Sequence, residues 1–158
     1  GVTITRQFFF DTFRKLFFEA LEKSTDKQLA AIAEKSLKET KYHLKHSSEW
    51  MIRLGDGTEE SHKRVQQAVD DLWRFTDELF YMDEIDETLL KEGISVDLKE
   101  IQKEWKQHVQ NIFEEATLSI PIESWQQSGG RRGIHSEHLG YLLAEMQFMQ
   151  RAYPGMEW

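Results

Sequence analysis

Apolar positions recur every three or four residues through most of this chain, and that period sorts it into helices. Leu29, Ile32, Ala33, Leu37, Thr40, Leu44, Ser47, Met51 and Leu54 mark one side of a long helix. Ser24 and Thr25 precede it, Gln28 stands three after Thr25 as in a capping box, and Gly55 and Gly57 stop it. Such a helix has about 28 residues and a length of roughly 40 Å, usual for a bundle helix. Before it, residues 4–23 read as a first helix. Phe9, Phe13, Leu16, Phe17, Ala20 and Leu21 form its stripe, and Phe8, Phe10 and Phe18 widen that stripe almost to the full circumference. A helix that apolar is either central in its own fold or faces another subunit. The short connection at 22–27 makes the two helices an antiparallel hairpin.

The pattern continues past GDGT at 55–58. A third helix is expected over 58–81, capped by Thr58, with Val65, Ala68, Val69, Leu72, Phe75, Thr76, Leu79 and Phe80 inward and Trp73 in a core or an interface. Residues 83–92 predict a short helix or a helical extension, ended by Gly93. Asp97 with Glu100 is a cap signal, flanked by Val96 and Ile101 as a hydrophobic staple, for a helix over 98–116. His108 lies at the core edge or surface of that helix. The period lapses over 118–135, where Pro121 and QQSGGRRG read as a flexible loop. A last helix is expected over 136–152, with Leu139, Tyr141, Leu142, Leu143, Met146 and Met149 as a docking face. The fold class is therefore all-α: long antiparallel helices with a C-terminal docking helix, in one domain spanning 1–158.

Composition narrows the function classes. The 158 residues are 39% hydrophobic and 30% charged with two prolines, which suits a packed helical domain rather than a disordered chain. A formal charge of −8 repels nucleic-acid phosphate. The absence of cysteine excludes disulfides, zinc thiolates and cysteine nucleophiles and suits a reducing, cytoplasmic setting. No apolar run reaches membrane-spanning length, so no membrane partner is expected.

Candidate chemistry centres on the second helix. Glu39 with Tyr42 and Glu39 with His43 are three and four apart, on one helix side. Glu-x-x-His is the unit of di-iron bundles, in which carboxylates bridge the metals and imidazole caps them. Here Tyr42 stands at the histidine position and His43 falls one place late. Either these residues form a metal half-site with a displaced histidine, or Glu39 and His43 are an ordinary helix-face pair. Asp11 is either solvent-exposed or a carboxylate facing Glu39 across the hairpin. Arg131 and Arg132 among three glycines could contact an anion such as coenzyme A, contact a subunit, or belong to a plain loop. His135, Glu137 and His138 look like a metal trio, but His135 precedes the helix and the spacing fails.

Several longer passages carry a family resemblance: RQFFFDTF at 6–13, DKQLAAIAEKSLKETKYHLKHSSEW at 26–50, IRLGDGT at 52–58, LWRFTDELF at 72–80, DEIDETL at 83–89 and GGRRGIHSEHLGYLLAEMQFMQRAYPG at 129–155. Across its length the chain resembles the PaaC-type subunits of the bacterial ring-1,2-phenylacetyl-CoA epoxidase, members of the ferritin-like superfamily. The resemblance implies a ferritin-like helical bundle and a non-catalytic structural role, with no catalytic residue, metal or cofactor on this chain. Di-iron belongs to a PaaA-type catalytic partner, and FAD, an iron–sulfur centre and NADPH to a reductase component. It further implies that Asp11, Glu39, Tyr42 and His43 are vestiges of a metal site, with Tyr42 in place of the histidine. Such subunits run longer at the N-terminus, where two more bundle helices are expected. A chain beginning later in that pattern would have its phenylalanine helix covered by another copy, as in an intertwined dimer, by a rearranged packing, or by the missing segment supplied separately. Two other functions remain: a ferritin-like oxygenase subunit with its own di-metal site, and a module holding an acyl-coenzyme A through Arg131, Arg132 or Lys41.

Overall fold

The computed structural model describes residues 1–122 and 125–157. All regular structure among them is helical. In chain order the α-helices are α1 (Val2–Leu21), α2 (Lys27–Gly55), α3 (Glu59–Trp73), α4 (Glu84–Lys91), α5 (Leu98–Glu115), α6 (His138–Met146) and α7 (Phe148–Ala152). Short 3-10 turns occupy Asp77–Phe80 and Gly130–Arg132. The chain divides into two compact units, residues 1–127 and 128–158.

In the first unit α1 is the central helix. It packs on α2 along most of its length and also touches α3 and α5. The fold therefore covers the Phe8 and Phe9 part of the phenylalanine stripe and leaves Phe10, Phe13, Phe17 and Phe18 half-buried. Phe8 and Phe9 are buried, and Phe13, Phe17 and Phe18 lean on the same core. Phe9 meets Trp73 edge-on at 5.7 Å and Trp105 at 5.6 Å, and Phe80 meets Trp105 at 5.5 Å. Trp105 is fully buried, and its indole Nε1–H donates to the Phe9 carbonyl at 2.9 Å. An aromatic of that size is tolerated inside because its polar edge has an acceptor. Trp73 is a core residue, as its place in the pattern predicted.

The predicted elements recur with three corrections. The α2 N-cap is Asp26, whose Oδ1 accepts from the Gln28 and Leu29 amides, not Thr25. Thr25 instead turns toward the α4–α5 connection, its hydroxyl donating to the Glu92 carbonyl. The third helix stops at Trp73 rather than running to 81. There the Thr76 amide and hydroxyl both donate to the Trp73 carbonyl, a tightened ending that resets the helical phase. Phe75 consequently lies on the surface, while Thr76 and Phe80 remain buried. The final helix breaks at Gln147 into α6 and α7. By contrast, Asp97 caps α5 as its spacing predicted, while Asp83, expected as the first residue of the short helix, is instead its N-cap and shares a capping box with Asp86.

The second unit is small. Within it, GGRRG closes as a turn: the Arg132 and Ile134 amides both donate to the Gly129 carbonyl, with Gly129 and Gly133 at positive φ. Neither α6 nor α7 has a buried residue, so the expected docking face of Tyr141, Leu142, Leu143, Met146 and Met149 lies exposed.

Candidate functional site

The polar seam between α1 and α2 is the place where candidate chemistry meets the fold. Three contacts set the antiparallel register of these helices. Thr5 Oγ1 donates to Met51 Sδ at 3.7 Å, Ser47 Oγ lies 3.3 Å from Asp11 Oδ2, and Lys41 Nζ lies 3.5 Å from Glu19 Oε1. Asp11 therefore stands level with Ser47, and Glu19 with Lys41.

Asp11 is wholly buried, against the reading that exposes it. Burying a carboxylate is costly unless it is paired and hydrogen-bonded, and this one is. Gln7 Nε2 donates to Oδ1 at 2.6 Å from one turn earlier. The Ser47 hydroxyl reaches Oδ2, though it is also within reach of the His43 and Leu44 carbonyls. Arg14, three residues on, brings Nη1 to 3.8 Å from Oδ1, a longer-range pairing. Gln7 and Arg14 could have been found from sequence, since both lie within a turn of Asp11 on α1. Ser47 left a fainter signal, as a polar residue inside the apolar stripe of α2.

Asp11 does not face Glu39. Ser47 lies eight residues beyond Glu39, which is about 12 Å along the helix axis. Glu39 instead points outward, its side chain 76% exposed, and pairs with His43, whose Nε2 is 3.3 Å away. Tyr42, also exposed, sets its ring edge-on to that of His43. The four candidates thus separate into a buried carboxylate in the seam and a surface cluster on α2. No group of three or more histidine or acidic residues among the described ones is arranged to hold a metal ion. As a donor set for two irons, these residues do not fit: they do not converge, and the Asp11 oxygens already accept from protein donors.

Arg131 and Arg132 occupy the 3-10 turn of the second unit, whereas Lys41 pairs with Glu19 in the first. His108 half-emerges from α5. Its Nε2 is buried without a hydrogen-bond partner among the described residues, and its ring lies 6.2 Å from that of Phe8. Burial, and to a smaller degree the cation of Lys15, hold its pKa below the usual histidine value.

Residues 1–158 match a family described as Phenylacetic acid catabolic protein. The chain belongs to that family. It is 49% identical, over 156 residues, to the C subunit of the 1,2-phenylacetyl-CoA epoxidase of Escherichia coli (strain K12). That similarity covers 99% of this chain and 63% of the relative, so the chain spans less than two thirds of the curated protein it matches. Among phenylacetic acid catabolic proteins, this chain is then a ferritin-like helical bundle whose α1 carries a buried acid held by Gln7 and Ser47.

Proposed function

We propose that this chain is a non-catalytic structural subunit of a phenylacetyl-CoA epoxidase, supporting a di-iron catalytic subunit in aerobic phenylacetate breakdown. The likeness to the C subunit of such an epoxidase supports the complex and the pathway. The placement of Asp11 supports the structural role. In a working di-iron bundle, carboxylates from several helices converge with their oxygens aimed at the metals. Here the one wholly buried carboxylate among the described residues accepts hydrogen bonds along the α1–α2 seam, and Glu39 with His43 lies outside. In this reading Asp11, Glu39, Tyr42 and His43 are remnants of a metal site, and Asp11 now holds two helices in register. FAD, iron–sulfur and NADPH chemistry belongs to a reductase component of the same assembly.

The test is reconstitution. The chain is produced with added iron and assayed for metal, then mixed with a purified catalytic subunit. The expected results are less than one iron per chain, co-elution of the two proteins, and epoxidation only when the catalytic subunit is present. Two irons bound per chain, or turnover of phenylacetyl-CoA by this chain alone, overturns the proposal. Failure to co-elute overturns the supporting role and leaves the metal result to stand separately.

A further inference from the structure

The described residues of the first unit contain a cavity of about 240 Å³ that the proposed supporting role does not use. Phe9, Phe10, Leu72, Phe75 and Leu79 supply its apolar wall, where the end of α3 and the following 3-10 turn lean on α1. Two further side chains line it, Arg6 and Thr76. The Thr76 hydroxyl already donates to the Trp73 carbonyl. Arg6 is therefore the cation among the lining residues, and its charge selects an anion. A larger depression of about 470 Å³ is lined by Asp83, Glu84 and Glu87 and would repel the same ligand.

Two contacts orient the exposed Arg6 side chain. Its guanidinium carbon lies 5.2 Å from the Phe10 ring centre, a cation–π contact. Its Nη1 donates to Gln7 Oε1 at 3.1 Å, and Gln7 in turn donates to the buried Asp11 at 2.6 Å. Only one of the five guanidinium N–H donors is engaged by Gln7, which leaves the fork geometry that suits a carboxylate. Thus the buried acid of the seam, through one amide, orients a cation at the edge of an apolar cavity.

We infer that this cavity is a binding site for a small aromatic monocarboxylate, its ring among Phe9, Phe10, Leu72, Phe75 and Leu79 and its carboxylate on Arg6. Size agrees with this class: the space is an open groove with Phe75 at its solvent edge, a benzene ring fills about 150 Å³, and a two- or three-atom acid arm needs the remainder.

The probe is phenylacetate, with phenylacetamide as its neutral isostere and acetate as the acid without a ring. Each is titrated into the full chain while backbone and methyl resonances are followed by NMR. Phenylacetate is expected to shift residues lining the cavity and to bind about tenfold more tightly than phenylacetamide, the margin of one charge-assisted contact. Arg6→Gln, a change at an exposed position, should bring the two within twofold by weakening phenylacetate alone. Leu79→Trp should fill the cavity and remove both. If that variant fails to fold by circular dichroism, the Arg6→Gln comparison decides. Equal binding of acid and amide, an unchanged Arg6→Gln, acetate binding as well as phenylacetate, or no cavity shifts at about 10 mM, a concentration far above useful affinity, overturns the site.

Discussion

Asp11 shows how one side chain can be costly and stabilising together. Its carboxylate sits at zero exposure, yet Gln7, Ser47 and Arg14 surround it. Asp11→Ala removes the acceptor for a part-buried amide and should lower unfolding free energy by about 1–3 kcal/mol, read from urea denaturation. Asp11→Asn keeps an oxygen for Gln7 and should cost less. An alanine variant as stable as the parent would show that the Asp11 contacts make no net contribution to the seam. His108 makes the second residue-scale prediction. Its pKa in the folded chain lies below the ordinary 6.5, chiefly because burial disfavours the imidazolium. As pH falls through that ordinary value, the unfolded chain takes up the proton and the folded chain resists it. The His108 contribution to stability is therefore complete above pH 6.5 and declines as the pH drops toward the folded-state pKa. Urea midpoints measured from pH 7.5 to 5 should fall less steeply in His108→Leu than in the parent. These residues were only half legible beforehand. Asp11 and His108 stood out by type, but their burial depends on helices far away in sequence.

At the scale of elements, caps and stops are local, and those at Thr58 and Asp97 were readable for that reason. Asp83, Asp97 and Thr58 each accept from backbone amides two or three residues on. Helix crossings are different. Gly55 ends α2 where α5 also ends, and its carbonyl accepts from Thr117 and contacts His62 Nδ1 at 2.7 Å. A Cβ at Gly55 would stand 2.9 Å from the Ala116 Cβ and still nearer the Ala116 backbone. Backbone there cannot yield as a flexible side chain would. Gly55→Ala should therefore destabilise the chain by about 1–3 kcal/mol, seen as a lower thermal midpoint with helix content retained below it. From sequence this glycine was a helix stop; its second use, close approach to α5, needed the packed structure. The α3 ending has a similar lesson. Apolar spacing runs on through Phe80, so periodicity alone could not show the phase change at Trp73 that turns Phe75 outward.

For the molecule as a whole, the two units differ in how they are held. The aromatic cluster of Phe9, Trp73, Phe80 and Trp105 belongs to residues 1–127, as do all the core residues. Charge is divided too: residues 128–158 hold three arginines and three glutamates, so the −8 formal charge falls on the first unit. Because α6 and α7 bury no side chain, a chain ending at Gln127 should keep its cooperative urea transition, with a midpoint within about 0.5 M of the parent; a collapse of that transition would refute the separation. Helix class, most boundaries, the caps at Thr58 and Asp97 and the family were settled by the sequence alone, because each rests on neighbours within a few turns or on long runs of shared residues. Tertiary structure alone decided the register of α1 on α2. That register depends on how whole helix faces interlock, and it sends Asp11 to Ser47 while leaving Glu39 and His43 at the surface.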